Sequence, residues 1–224
     1  MGNPSASSSE AGSFRFASDV GVSHKIILAS ASPARLAILR RSGIEPRVII
    51  SGVDEDSPEL ADLPASKIAS VLAIRKAAAV AESLTDTGDA TPTLVVGCDS
   101  VLDFQGQVHG KPKNVHEAIQ RWQAMRGLNG VLHTGHSVID LPTGRTFNDV
   151  AATTIYFADI DDAEIAAYVA SGEPLQVAGA FTIDGIGAPF IDRIEGDPSC
   201  VEGLSLPVLR RAMYYFGYSF RDFR

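Results

Sequence analysis

The sequence predicts a mixed α/β fold, a mixed β-sheet with helices flanking it. Short apolar runs alternate with amphipathic stretches through the first half, two long strand-like runs follow back to back, and the chain finishes in a helical pattern. With 224 residues, 45% of them hydrophobic, there is enough apolar material for a sizeable core. Residues Met1 to His24 stand apart. They are rich in Ser, Ala and Gly and read as a disordered leader, so the folded domain is expected over 25–224.

Lys25-Ile26-Ile27-Leu28 has the length and β-branched content of a buried strand. The stretch ASASPARLAIL then turns into a helix: Ser32 is a good N-cap, Pro33 suits the first helical position, and Gly43 is the expected stop. Pro46 to Gly52 reads as a second strand running into Val53-Asp54-Glu55-Asp56. Pro64 to Leu84 is a long helix with Ile68, Val71, Leu72 and Ala79 on one side, and Thr85 to Pro92 a polar loop. Thr93 to Cys98 is a buried strand that stops at Asp99. Gln105-Gly106 suits a hairpin turn towards Val108-His109-Gly110-Lys111-Pro112. Asn114 with Glu117 resembles a capping box for a helix that reaches Arg126 and stops at Gly127. Long strands near Val131–Asp140 and Arg145–Phe157 are joined by Leu141-Pro142-Thr143-Gly144. Asp161 with Glu164 caps a helix ending at Gly172, a Gly-rich β segment covers Gly179 to Ile194, and a last helix spans Ser205 to Phe216.

A net charge of −8 with no basic run argues against a nucleic-acid footprint. No apolar stretch approaches a membrane span, and residues 1–24 lack the pattern of a signal peptide, so a cytoplasmic protein is expected. Cys98 and Cys200 are too few for a disulfide framework and fit a reducing compartment.

The chemistry-bearing residues fall at strand ends. Arg35 places a cation in the first turn of a helix, where the dipole disfavours positive charge unless an anion is present too. Free backbone N–H groups, the Ser30 and Ser32 hydroxyls and the Arg35 fork would make a phosphate site, although simple capping also accounts for the serines. Asp54 and Glu55 follow the second strand and Asp99 the third. Ligands of open α/β sheets sit outside the carboxyl ends of strands, so these groups would share one site. Carboxylates beside phosphates imply a bridging cation, and oxygen ligands point to Mg²⁺ or Mn²⁺. Taken alone, the acidic run Asp54-Glu55-Asp56 reads as a solvated loop sooner than as a metal site. Asp99 leaves an apolar run with no basic neighbour and needs a partner or a metal. Lys76 lies near the apolar face of its helix, where it could snorkel or face phosphate. Lys111 sits on constrained backbone between Gly110 and Pro112.

Together, Ser30-x-Ser32-Pro33-x-Arg35, Val53-Asp54-Glu55, Lys76-Ala77, Cys98-Asp99-Ser100, Gly110-Lys111-Pro112, Tyr168-x-x-x-Gly172-Glu173-Pro174-Leu175, Ala178-Gly179, Gly203-Leu204 and Leu206-Pro207 resemble the Maf family of nucleotide pyrophosphatases. The order and spacing match over almost all of Lys25 to Arg211. The resemblance implies an inosine-triphosphatase-like fold, two lobes around a cleft, often as a homodimer. It implies metal-assisted hydrolysis of a nucleoside triphosphate to the monophosphate and pyrophosphate. Carried over by position, Asp99 matches the proton acceptor, Glu55 the second acidic residue at the metal, and Arg35, Lys76 and Lys111 the phosphate-binding cations. One subgroup of the family has Arg, Thr and Gln at three specificity positions and prefers pyrimidine nucleotides; another has Trp, Gln and Glu and prefers methylated guanine nucleotides. Here those positions hold Ala34, Ser100 and Asp184, which predicts a broader enzyme.

Two other classes compete. A non-enzymatic nucleotide-binding regulator of septum formation would keep Arg35 and Lys111 without needing a proton acceptor, whereas both acids are present. A cysteine hydrolase would pair Cys98 with His109, His133 or His136, but Asp99 beside the thiol would raise its pKa.

Overall fold

A computed structural model describes residues 24–84 and 91–224. The expected leader, except His24, and most of the polar loop lie outside the described residues. In chain order the elements are β1 (Lys25–Leu28), α1 (Pro33–Arg41), β2 (Arg47–Val48), α2 (Ala65–Glu82), β3 (Thr93–Phe104), β4 (Gln107–His109), α3 (Val115–Met125), β5 (Asn129–Asp140), β6 (Arg145–Phe157), α4 (Asp162–Ala170), β7 (Ile191–Glu195), α5 (Pro198–Val201) and α6 (Leu206–Phe216). They build one seven-stranded mixed sheet in the order β2-β1-β3-β5-β6-β7, with β4 paired to β3.

Helix boundaries fall where the caps place them. Ser32, Asn114, Asp161 and Ser205 each accept a backbone N–H of their own helix through the side chain. Three strand expectations change. β3 does not stop at Asp99 but runs five residues further to Phe104, because β5 offers it a continuous partner from Leu94↔Asp140 to Asp103↔Val131. β2 shrinks to Arg47–Val48, since β1 ends at Leu28 and leaves nothing beyond for it to pair with. Most of Gly179–Ile194 is turns instead of strand: Gly179 and Ala180 both have positive φ, which breaks an extended run, and only Ile191–Glu195 pairs, with the end of β6.

Alternate residues of β3 face opposite layers. Leu94, Val96 and Cys98 join Ile38 and Leu39 of α1 and Leu209 and Met213 of α6 in one core. Further along the same face, Leu102 and Phe104 join Trp122, Phe157 and Tyr168 in a second core beneath α3 and α4. Ser100 falls between the two. The other face is covered by α2, which packs on Val95 through Ala77 and Val80 and on Val101 through Ile68 and Leu72. No described helix is long and apolar enough to cross a membrane.

Candidate active site

Unequal strand lengths create the site. β5 covers one edge of β3 from Leu94 to Asp103. The other edge is shared: β1 takes Thr93–Val96 in parallel and β4 takes Leu102–Phe104 antiparallel. Among the described residues no strand pairs with this edge in between, so 97–101 form a notch with Asp99 at its middle. Both bordering strands run towards it. Ser30 to Arg35 therefore enter from the end of β1, and Gly110 and Lys111 from the end of β4.

On the α1 side, Arg35 is 8% exposed. Its Nε donates to the Gly203 carbonyl at 2.7 Å, Nη1 to Ser30 Oγ at 3.0 Å and Nη2 to Ser100 Oγ at 3.3 Å. These acceptors are all neutral, so hydrogen bonds fix the guanidinium in place while its charge stays available to an anion. Ser32 caps α1 by accepting from Arg35 N at 3.4 Å, and its own N–H donates to Ser30 Oγ at 3.1 Å. The serines therefore cap the helix and brace Arg35 within the same turn.

On the α2 side, the decisive residues are glycines. Gly135 lies opposite Asp99 in the ladder and Gly97 two residues before it, so all three face α2. A Cβ at Gly97 would stand 2.4 Å from the Ala73 carbonyl oxygen, and one at Gly135 2.2 Å from that of Ala69. The missing side chains let the alanine stripe of α2 lie directly on the sheet. Lys76, 6% exposed, is thereby brought to the carboxylates, with Nζ 2.6 Å from Asp99 Oδ1 and 2.6 Å from Glu55 Oε1. It neither snorkels to solvent nor stands alone: it bridges the two acids. The two acids beside this lysine are shifted in opposite directions. Burial pushes the Asp99 carboxyl above the ordinary aspartate value, against the pull of Lys76 and Arg35. At Glu55, whose side chain is 52% exposed, burial also pushes the carboxyl up, but the hydrogen bond and charge of Lys76, with Lys111 and Arg35 further away, together outweigh it and hold the group below its ordinary range. Lys111 is exposed at the other end of the notch.

The three expected specificity positions are spread around this centre. Ser100 contacts Arg35 directly and shares a hydrogen bond of 3.0 Å with Thr134, whose hydroxyl donates to the Cys200 carbonyl at 2.9 Å. Ala34 is half-buried in the first turn of α1. Asp184 is exposed, on a loop close enough to Arg41 for its charge to reach that guanidinium. The loop is folded around the carboxylate of Glu173, which accepts from Tyr168 Oη, Thr182 Oγ1, Ile186 N and Gly187 N at 3.0, 2.6, 2.8 and 2.9 Å. Gly203 belongs to the motifs that carry the family resemblance, whereas Gly97, Gly135 and Thr134 are not singled out as site-builders. Glycine inside an otherwise apolar strand run is the one signal that points to Gly97 and Gly135.

The cysteine alternative fails on the chemistry of its nearest pair; of the three histidines only His136 lies directly across from Cys98, while His133 and His109 pair with Val101 and Leu102. Cys98 and His136 are direct cross-strand neighbours. Burial, rather than the neighbouring Asp99, is the main force pushing the Cys98 thiol up to about 12. His136 Nε2 already accepts Ser205 N at 2.8 Å, and burial pushes this imidazole down to about 4. The pair is a neutral thiol beside a neutral, occupied imidazole.

A model of the family described as Maf-like protein matches residues 25–216. The chain is 55% identical over 189 residues to a nucleoside triphosphate pyrophosphatase of Salinispora tropica, covering 84% of this chain and 82% of that protein. It is 53% identical to one of Streptomyces coelicolor, over 86% of this chain and 91% of the relative. It is 50% identical to one of a Cyanothece species, over 88% and 98%.

Proposed function

This chain belongs to the Maf-like protein family, and on that premise we propose that it hydrolyses ribo- and deoxyribonucleoside triphosphates to nucleoside monophosphate and pyrophosphate, by attack of water on the α-phosphorus. The observation that carries the reading is Asp99, a buried carboxylate with a raised pKa at the centre of a notch bordered by Arg35 and Lys111. The names of the relatives support the substrate class.

Phosphoryl chemistry asks the protein mainly for positioning and charge neutralisation. Arg35, fixed by Gly203, Ser30 and Ser100, and the α1 N-terminus receive one end of the triphosphate, while Lys111 receives it from the β4 side. Asp99 orients the attacking water and takes its proton; a carboxyl with a raised pKa is a better base than an ordinary aspartate. Lys76 holds Asp99 and Glu55 together and keeps the acids from repelling each other. Among the described residues no group of three or more His, Cys, Asp or Glu gathers as a metal cage. The two carboxylates around the Lys76 ammonium nevertheless converge on a point that already holds a cation. The carboxylate oxygens of Glu55 and Asp99 would hold Mg²⁺ or Mn²⁺, which prefer such ligands, once the Lys76 ammonium gives up the position between them. A divalent cation bound there supplies further charge neutralisation on the phosphates.

Small Ala34 and acceptor-only Asp184, together with Ser100, support a base pocket of broad specificity. The reading also includes a homodimer acting in the cytoplasm on free nucleotides, with neither nucleic acid nor membrane as partner; the charge of −8 supports the first exclusion. A regulator without turnover would have no use for a buried base. The test is pyrophosphate release over a panel of nucleoside triphosphates, with and without Mg²⁺ or Mn²⁺. Metal-dependent release from several of them supports the reading, and no release from any nucleotide under any condition overturns it.

A further inference from the structure

Lys111 sits in an exposed loop, yet the backbone on both sides of it is held by a single helix. The Gly110 carbonyl accepts from Arg121 Nη1 at 2.6 Å and from Gly179 N at 3.1 Å. On the far side, Lys113 N donates to Glu117 Oε2 at 2.9 Å. Arg121 and Glu117 are one turn apart on α3 and pair through Nη2 and Oε1 at 2.7 Å. Pro112, between the two anchor points, is buried and has its φ fixed by its ring.

Ordinary helix capping and packing do not account for this arrangement. In a complete capping box the Glu117 carboxylate would return to the N–H of the N-cap residue Asn114, whereas here it reaches past it to Lys113. The Arg121 side chain is 5% exposed, burial lowers its pKa, and its Nε is buried with no hydrogen-bond partner among the described residues. An apolar side chain would fill the same space without that desolvation cost. What the arginine adds is a rigid fork that grips the Gly110 carbonyl with one nitrogen and Glu117 with another.

We infer that the Glu117–Arg121 pair is a positioning device for Lys111, clamping the backbone at Gly110 and Lys113 so that the ammonium is aimed at polyphosphate in the notch. This rests on the triphosphate reading above. Clamped at both flanks, Lys111 keeps only its side-chain freedom, so less order has to be created when the anion arrives. Gly179 N shares the Gly110 carbonyl, which ties the same anchor to the segment leading towards Asp184.

The test is a double-mutant cycle of Arg121→Met and Lys111→Ala, with Arg121→Lys as the conservative variant, reading KM and kcat for pyrophosphate release from folded protein. Arg121→Met is expected to raise KM about tenfold with kcat within about threefold, by the same factor for every nucleotide. A merely destabilised protein would lose kcat at constant KM. Residues acting as one unit are non-additive, so the double variant should be no worse than Lys111→Ala, within about twofold. Arg121→Lys, which can still donate to Gly110, should recover part of the loss. A folded Arg121→Met with KM within twofold of wild type, or a double variant whose loss is the product of the single losses, overturns the clamp. If Arg121→Met does not fold, Glu117→Gln replaces it: the amide still accepts from Lys113 but loses the charge that holds Arg121, and an unchanged KM overturns the proposal. Calorimetric binding of inorganic tripolyphosphate separates the clamp from the enzymatic reading. Binding weakened at least fivefold by Arg121→Met upholds the clamp even in a protein that hydrolyses no nucleotide, whereas equal affinity, or no binding by wild type, overturns it.

Discussion

Gly97→Ala adds one methyl group at the point where α2 meets the sheet, and its effect can be worked from distances. The new Cβ would stand 2.4 Å from the Ala73 carbonyl oxygen and 2.6 Å from Ala77 N, both helix backbone atoms that cannot rotate away. Close C···O contacts settle at about 3.3–3.6 Å, so α2 must retreat by roughly 1 Å. Lys76 moves with it. Its 2.6 Å bond to Asp99 then opens to roughly 3.6 Å, beyond hydrogen-bond reach. Overpacking of this kind costs about 1–3 kcal/mol. At about 2–4 °C per kcal/mol for a domain of this size, Tm should fall by roughly 2–12 °C. Misplacing catalytic groups by about 1 Å can cost up to ~10²-fold in rate, so turnover should drop well beyond any loss of folded protein. The assays are a thermal melt and initial rates of pyrophosphate release at a temperature where the variant is folded. A Tm within about 1 °C of wild type together with turnover within twofold would refute the claim that the glycine sets the helix–sheet distance and, through it, the Lys76–Asp99 contact.

Lys76→Met leaves Asp99 buried without its cation, and removing one partner of a buried pair costs about 3–5 kcal/mol, here towards the lower end because Glu55 is half exposed; the melt should show the loss, and added Mg²⁺ should recover part of it if the two carboxylates hold a divalent ion. Cys98→Ala should keep turnover within about twofold, since a fully buried thiol pushed up to about 12 is neutral at working pH; a folded but inactive variant would revive the thiol mechanism. Ala34→Trp and Asp184→Gln should change the ratio of kcat/KM between nucleotides by roughly five- to hundred-fold, the equivalent of one mismatched polar contact of ~1–3 kcal/mol. A uniform fall across all nucleotides would show that neither residue meets the base.

Much of this arrangement was legible in the sequence because local chemistry fixed it. Ser32-Pro33 at the start of α1 and Asp161 before α4 act as caps through contacts within one turn, and they fall where the residue types place them. Features that depend on a distant partner were not legible in the same way. Asp99 looked like a strand end because its apolar run stops there, but β5 carries β3 onward, and only the gap between β1 and β4 exposes the acid. Pro46–Gly52 and Gly179–Ile194 have strand-like or glycine-rich composition but lack a partner edge for most of their length. Lys76 could have faced solvent or phosphate; the approach of α2 permitted by Gly97 and Gly135 decides that it meets Asp99 and Glu55. Candidate residues were thus identifiable by type and order, while their mutual contacts depended on strand lengths and on glycines in contact with a helix backbone.

The role of Asp99 as the base is tested most directly by the pH profile of kcat/KM for wild type and Asp99→Asn. In wild type, activity should fall as the pH drops and the base takes up its proton. Asp99→Asn keeps the shape but cannot accept that proton, and its rate should be lower by at least ~10²-fold, with this limb gone. A folded Asp99→Asn protein that retains more than about a tenth of wild-type activity, or that shows the same acidic limb, would contradict the assignment of Asp99 and with it the catalytic reading of the notch.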